Sequence, residues 1–366
     1  MFALFLINLV SLAMMILSIA AWHFPPYQFM FPAFLGLIFP ALLIFNVLFL
    51  FFWIAFLRWR FVAVCVLALL FCSEAIFVYY SVHGKTKEVQ EDCFKVLTYN
   101  VAGFRWAEGE EARSNPIFDY MQNSDADIIC LQEFVINNKK FNPDGIISID
   151  ELDDILDAYP YRSVVKLGTV EGAYSFGLAC YSKFPILKTK QIPIDSELNG
   201  AVQYEIQIKD KTLSLFNIHL ESNRLTLDDK ELYHDFFRTR NAKIFDQLSN
   251  QMQMKLGAAY IKRAQHADLI ARWINRQETD GVVVCGDFND PPISYAYHKI
   301  KNAGTILLDS YEQTGFGPGI TYYENGFWFR IDYIMHTRNM QAFTSTVDKV
   351  KYSDHYPLYS YLRFDH

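Results

Sequence analysis

Six small polar groups are spread along the last three quarters of the sequence, and their residue types suit one kind of chemistry. They are Asn100, Glu133, His219, the pair Asp287 and Asn289, Asp332, and the pair Asp354 and His355. Each adjoins an apolar run. Leu97-Thr98-Tyr99 ends in Asn100, the run 282–285 gives way through Gly286 to Asp287 and Asn289, and Ser353-Asp354-His355 comes just before Leu358. Gathered in one place, they would supply four carboxylates, two carboxamides and two imidazoles, with no thiolate. Such oxygen donors suit a hard divalent cation, Mg²⁺ first and Mn²⁺ as the alternative. Mg²⁺ takes one or two carboxylates, keeps several waters and accepts the rest of its shell from a phosphate. Zinc would call for more His or Cys. The two histidines are then left for proton transfer or for stabilising phosphoryl charge, and the amides can orient a water or the phosphate. Asp332, if it stands beside His355, would fix the ring's tautomer and raise its basicity.

Each motif also has an ordinary explanation. Gly286-Asp287-Phe288-Asn289 reads equally well as an Asx-turn, and a glutamate after a strand is usually solvated. His219 in an apolar run is more often a core residue than a catalyst. The repetition of one device, polar residues closing an apolar run, favours a divided site.

Strands must carry these residues. Alternating or continuous apolar patterns predict them over 94–99, 128–131, 176–182, 202–208, 213–218, 282–285, 331–335 and 358–362. Pro291 and Pro292 cannot extend a ladder, so the strand over 282–285 must stop where Asp287 and Asn289 stand, with Asp290 as a turn cap. Helical spacing is found over 117–122 and 255–277, while 137–158 is acidic and turn-rich and reads as a surface excursion. Many strands with few helices predict an α/β sandwich of two packed sheets covered by helices.

The first quarter differs. Residues 1–22, 27–57 and 61–80 are apolar, interrupted clearly only by Asn46 and Glu74. Each stretch can cross a hydrocarbon layer about 30 Å thick as a helix. The first lacks the basic flank and cleavage site of a signal peptide. Three transmembrane helices are therefore expected in a membrane segment over 1–82, with a polar linker over 83–92 and a globular domain over 93–366. Arg58 and Arg60 place the link between the second and third stretches in the cytoplasm, which puts the domain outside; Lys85 and Lys87 argue the other way. The net charge is −7, and residues 1–92 hold four basic and four acidic side chains, so the deficit lies in the domain. An acidic domain disfavours a dedicated nucleic-acid binder. No C-x-x-C pair is present, and Cys130, Cys180 and Cys285 read as small hydrophobes in strands.

In order and residue type, Thr98-Tyr99-Asn100-Val101, Leu131-Gln132-Glu133, Asn217-Ile218-His219-Leu220, Gly286-Asp287-Phe288-Asn289, Arg330-Ile331-Asp332-Tyr333 and Ser353-Asp354-His355 resemble the motifs of the endonuclease/exonuclease/phosphatase superfamily. The resemblance covers the chain from about Cys93 onward. It implies the four-layer, DNase I-like α/β sandwich, with two mostly antiparallel sheets flanked by helices, and metal-dependent hydrolysis of a phosphoester. By the same resemblance Glu133 is the principal metal ligand, with Asn100 and Asp354 near the same ion. Asp287 and Asn289 orient the attacking water and the phosphate. His355, paired with Asp332, is general base or phosphate stabiliser, and His219 contacts the phosphate or assists the leaving group. Two departures narrow the branch: members acting on abasic DNA commonly carry a further Asn or Asp where Ala102 stands, and Tyr where His219 stands. With a membrane anchor and an acidic domain, a lipid-derived or small phosphodiester is the expected substrate, and a lipid head group is favoured over nucleic acid. The alternatives are a nuclease and a non-catalytic scaffold in which Glu74 and the membrane helices do the work. Trp106, Phe327 and Trp328 are expected on rim loops, to stack on a base or dip into lipid.

Overall fold

The computed structural model describes residues 1–84, 89, 91–108, 114–138, 146–170, 174–223, 242–304 and 306–365. Lys85, Lys87 and the side chain of Trp106 lie outside the described residues. The chain forms two compact units that are interleaved along the sequence. One gathers Met1–Tyr80, Asn223–Ala267 and Asp290–Lys299, the other Ser81–Ser222, Asp268–Asn289 and Ile300–His366.

The second unit contains the strands β1 (Ser81–Val82), β2 (Phe94–Asn100), β3 (Ile128–Asn137), β4 (Tyr161–Val170), β5 (Tyr174–Ser182), β6 (Ile186–Ile192), β7 (Gly200–Ile208), β8 (Lys211–His219), β9 (Gly281–Asp287), β10 (Leu308–Asp309), β11 (Phe316–Gly317), β12 (Asp332–His336), β13 (Met340–Val347) and β14 (Leu358–Phe364). One six-stranded sheet runs β10-β12-β9-β8-β7-β6 and the other β13-β14-β2-β3-β5-β4. Each has one parallel pair at its centre, β8 with β9 and β2 with β3. The remaining neighbours in both sheets are antiparallel.

Strands buried on both faces carry near-continuous apolar runs, which is why these were legible. Val96 and Cys130 meet Leu215, Val283 and Cys285 in the core between the sheets. Leu97 and Ile129 point the other way, onto Ile117 and Phe118 of the helix Pro116–Asn123 and Leu152 of the helix Ile149–Ile155. Asn115 caps the first of these helices, accepting from Ile117 N at 2.9 Å. The second starts with a capping box between Ser148 and Glu151. The expected surface excursion over 137–158 is thus corrected: its described part holds a capped helix with a buried apolar face. Beyond the other sheet, the last turns of the helix Ala242–Ile274 bury Ile270, Ala271 and Ile274. The unit is an α/β sandwich of two mixed sheets flanked by helices.

In the first unit, Phe2–Trp22 is one apolar helix of 21 residues, long enough to cross a membrane. The other two expected spans are each broken. Phe31–Leu37 and Phe39–Ala55 meet at 65°, and Trp59–Phe71 and Ser73–Tyr79 at 62°. Pro40 sits in the first turn of Phe39–Ala55, and having no N–H it cannot continue the preceding ladder. Buried polar side chains tie the helices together. Asn8 Nδ2 donates to Asn46 Oδ1 at 3.0 Å, while Asn8 Oδ1 accepts from Trp53 Nε1 at 2.9 Å and Cys65 Sγ at 3.2 Å. Elsewhere in this unit Trp22 Nε1 donates to Pro292 O at 2.9 Å, and Ala33 packs against Leu256 and Tyr260. Asp290 is not the turn cap expected of it: its carboxylate is buried, 3.1 Å from Arg263 Nε. Burial pushes that carboxyl up to about 6, against the pull of the guanidinium.

Candidate active site

The two parallel pairs meet at one place, where β2, β8 and β9 end and β3 is interrupted. In register, β2 and β3 set Asn100 beside Gln132, and β8 and β9 set His219 beside Asp287. Because β12 runs antiparallel to β9, its first residue, Asp332, falls opposite Asp287. Open α/β sheets bind their ligands at this kind of edge.

Glu133 arrives by a different route from the strand end expected of it. The strand β3 continues to Asn137, and its register against β5 shifts between Leu131 and Phe134. Glu133 takes φ 50°, so the bulge re-aims its side chain, a usual role for bulges beside sites. Asn217 of the other sheet supports the interruption, donating to the carbonyls of Leu131 and Ala179, both at 3.1 Å. Gln132 Nε2 donates in turn to Asn217 Oδ1 at 2.6 Å. These two amides have no chemical role in the sequence motifs; in the fold they join the sheets beneath the site.

Gly286 is required where it stands. Its φ is 130°, and a Cβ there would lie 1.9 Å from Ile218 O. Asn289 turns the chain at φ 52°, a conformation Asn tolerates. Its backbone N–H donates to Asp287 Oδ1 at 2.7 Å, and its Nδ2 lies 3.3 Å from Asp287 Oδ2 and 3.1 Å from Leu220 O. Asp332 Oδ2 is 2.9 Å from His355 Nδ1, with both side chains buried. Thr321 Oγ1 accepts from the N–H groups of Ile331 and Asp332, both at 3.1 Å. Ser353 Oγ lies 2.8 Å from Asn100 O and 3.1 Å from Asp354 Oδ1, tying the segment before β14 to the end of β2.

Asp287 is the hub. Asn100 Nδ2 donates to Asp287 Oδ2 at 3.0 Å and to Glu133 Oε1 at 3.1 Å. His219 Nε2 is 3.8 Å from Asp287 Oδ2 and 3.6 Å from Glu133 Oε1, and His355 Nε2 is 3.7 Å from Asp287 Oδ2. Seven of the eight expected residues are therefore joined by these distances, and Asp354 acts on Glu133 through its charge.

The two histidines are shifted in opposite directions from their ordinary value. Burial depresses His219 below its ordinary value, and the charge of Asp287 only partly opposes this. Burial works the same way on His355, but the charges of Asp332 and Asp287 outweigh it and leave the ring well above its usual value. Burial raises Asp287, and the charge of Asp332 adds to this, while both histidines and Asn100 oppose it. Desolvation raises Glu133; Asn100 opposes and Asp354 reinforces the shift. Environments that push like groups apart are how one site separates acid from base.

The donor set fits a hard divalent cation. Glu133 keeps 44% of its side chain accessible, and Asn100 and Asp354 add further oxygens. A second oxygen-rich cluster, which the motifs do not mark as metal-binding, consists of Asp287, Asp332 and His355, with ligand atoms all within 4.8 Å of one another. Asp332 Oδ1 is buried there without a hydrogen-bond partner among the described residues.

The motifs missed Asn199. It is buried, with Nδ2 3.3 Å from Nδ1 and 3.2 Å from Nε2 of His219. Its only signal in the sequence is an Asn-Gly pair at the start of β7. Of the aromatic residues expected on the rim, Trp328 is 67% exposed. It lies between Tyr322 and Phe329, which pair with each other, and Tyr322 also pairs with His355.

Compared with known families, the chain matches the endonuclease/exonuclease/phosphatase family over residues 97–355, and a domain of unknown function, DUF8431, over residues 1–79. No curated protein matches it. Among solved structures it is similar to an endonuclease/exonuclease/phosphatase from Beutenbergia cavernae DSM 12333, at 16% identity and TM-score 0.52 over 75% of this chain and 72% of that one. It is also similar to the one from Bacteroides vulgatus, at 16% identity and TM-score 0.51 over 75% of this chain and 100% of that one. A family member from Leptotrichia buccalis C-1013-b aligns at 20% identity and TM-score 0.50, over 74% of this chain and 100% of that one. At such identities the likeness concerns the fold, which is DNase I-like.

Proposed function

The chain belongs to the endonuclease/exonuclease/phosphatase family, and from that premise we propose that it is a membrane-anchored, divalent-metal-dependent phosphodiesterase acting on a lipid-derived or small phosphodiester. The observation that carries this is the meeting of Asn100, His219, Asn289 and His355 around the single carboxylate of Asp287. Glu133, Asn100 and Asp354 would hold Mg²⁺ or Mn²⁺. A bound ion of this kind polarises phosphoryl oxygens and neutralises developing charge. Asp287, oriented by Asn100 and by the N–H of Asn289, positions the attacking water and is the carboxylate placed to take its proton. His355, kept cationic by Asp332 and Asp287, stabilises charge on the phosphoryl group. His219 contacts the same group from the Glu133 side.

Two features support a lipid-derived substrate over nucleic acid. Ile7, Val10, Ile44, Leu48, Phe51 and Leu67 expose apolar surface on the N-terminal helices. Trp328 exposes an indole on a segment whose base pairs with the backbone of His355. The same reading takes 1–82 as a membrane segment of three spans, each bent pair counted as one, 83–92 as linker and 93–366 as the catalytic region. Arg58 and Arg60 support an extracytoplasmic catalytic region.

The test is a substrate panel on the full-length protein in lipid nanodiscs. The panel holds sphingomyelin, phosphoinositides, DNA, RNA and bis(4-nitrophenyl) phosphate, each with Mg²⁺ and with chelator. Lipid diesters should show the highest kcat/KM. Faster turnover of DNA or RNA would replace the substrate class with a nuclease's, and inactivity on every arm would leave a scaffold. A reporter fused after residue 366 should be active only outside the cytoplasm.

A further inference from the structure

A site built from carboxylates is rich in acceptors and short of donors. Asp287, Asp332, Glu133 and Asp354 only accept when ionised, and the oxygens of a phosphodiester only accept as well. Asn100 Nδ2 gives its two hydrogens to Glu133 Oε1 and Asp287 Oδ2, at 3.1 and 3.0 Å. Asn289 Nδ2 gives its two to Leu220 O and Asp287 Oδ2, at 3.1 and 3.3 Å. Ser353 Oγ has one hydrogen, for which Asn100 O at 2.8 Å and Asp354 Oδ1 at 3.1 Å compete. Tyr322 is a donor left over. Its backbone pairs with that of His355, and its ring meets the imidazole edge to face, with 5.1 Å between centroids at 63°. Its neighbours are fastened to the same segment: Tyr356 N donates to Thr321 O at 2.6 Å, and Tyr323 N to Asp354 O at 3.3 Å. Glu324, two residues on, lies 3.2 Å from Arg105 Nη2. The ring is thus held, yet Tyr322 Oη has no hydrogen-bond partner among the described residues, and Tyr322 is half-buried rather than sealed off. Burial raises the phenol above its ordinary value, and the charges of Asp354, Glu324, Asp287 and Glu133 add to this. All of these carboxylates except that of Glu324 belong to the site, so the hydroxyl stands beside it with its hydrogen in place.

We propose that Tyr322 is a further catalytic residue, whose hydroxyl donates a hydrogen bond to a non-bridging oxygen of the substrate phosphoryl group beside His355. The proposal rests on the reading above, in which His355 stabilises charge on that group. The hydroxyl keeps its proton throughout. It stabilises the negative charge that grows on the oxygen it faces, and it takes no part in proton transfer. Phenylalanine at this position would keep the ring against His355 and remove only the donor.

The experiment measures kcat and KM of the full-length protein with Mg²⁺, and of Tyr322→Phe and His355→Ala beside it. The substrates are methyl 4-nitrophenyl phosphate and the two stereoisomers of its phosphorothioate, in which sulfur replaces one non-bridging oxygen or the other. Sulfur is a weak acceptor, so it reports which oxygen a donor faces. On the phosphate, Tyr322→Phe should lose roughly tenfold in kcat with little change in KM, the size expected for one neutral hydrogen bond. The loss should persist for one phosphorothioate isomer and shrink to within about twofold for the other, whose sulfur faces Tyr322. Three results would overturn the inference while leaving the proposed function standing: Tyr322→Phe at the parent rate on the phosphate; a loss confined to KM; or one equal loss on all three substrates, which marks a merely structural role. Full activity in His355→Ala, or no hydrolysis of any of the three by the parent, would instead overturn the reading on which the inference rests.

Discussion

One amide nitrogen of Asn100 joins the two sheets at the site, lying 3.1 Å from Glu133 Oε1 and 3.0 Å from Asp287 Oδ2. Its two hydrogens go one to each carboxylate, so Asn100 sets the spacing between the residue read as metal ligand and the residue read as orienting water. Asn100→Ala should lower activity about 10–100-fold and raise the Mg²⁺ concentration needed for half activity, the usual cost of removing a group that orients a ligand. A Mg²⁺ titration of initial rates checks both. A rate and a midpoint unchanged within about twofold would show that the bridge is incidental.

The pairing of His355 with Asp332 should matter at least as much. Asp332→Asn keeps the shape and removes the charge that holds the ring cationic. A fall in kcat of about a hundredfold or more is expected, with KM little altered, because the charge acts on the reacting group. A variant at more than half the normal rate would remove His355 from the chemistry.

At the other end of β12, His336 gives a test of stability against pH. Burial depresses it below the ordinary histidine value, with the carbonyl of Thr337 opposing, so the folded protein binds its proton less readily than the unfolded chain does. Linkage then fixes the sign: the contribution is fully present above about pH 6.5 and is lost as pH falls through that value towards the lower folded one. Thermal melts from pH 8 to pH 5 should show a decline that is shallower in His336→Gln than in the parent. Parallel curves would mean that the group does not drive the decline.

In the membrane-like helices, the polar knot at Asn8 should be worth measurable stability. Asn8→Ala strands the indole of Trp53 and the Oδ1 of Asn46, at a cost of about 1–2 kcal/mol for such bonds between apolar helices. Unfolding in a detergent series would show it. No change would mean that these groups find equivalent partners.

How much of this was legible follows from position in the sheets. All eight strands read from the apolar pattern are interior ones, β2, β3, β5, β7, β8, β9, β12 and β14. The four edge strands of the six-stranded sheets, β4, β6, β10 and β13, went unread, as did β1 and β11, which pair only with each other among the described strands. β6 shows why: Leu187, Lys188, Thr189, Lys190 and Gln191 are all exposed, so no face of it carries an apolar signal. Polar edges of this kind also block edge-to-edge association.

The site was legible for the same reason in reverse. A polar residue that closes a buried run stands out, and the parallel pairs bring three such ends, Asn100, His219 and Asp287, together with Gln132 of β3. What stayed hidden depends on backbone geometry and on contacts across the fold. The bulge at Gln132 and Glu133 looks like the end of a strand in one dimension. Asn199 sits in a polar turn where nothing marks one amide from its neighbours, and the breaks at Ile38 and Cys72 lie inside the apolar stretches 27–57 and 61–80.

The central claim, metal-dependent phosphoester hydrolysis at Glu133, is tested most directly by the rate of bis(4-nitrophenyl) phosphate hydrolysis by the full-length protein before and after EDTA, beside Glu133→Ala. Activity should vanish with EDTA, return with Mg²⁺ or Mn²⁺, and be lost in Glu133→Ala by a factor on the order of a hundred or more. Hydrolysis that survives chelation, or that is untouched by Glu133→Ala, would contradict it.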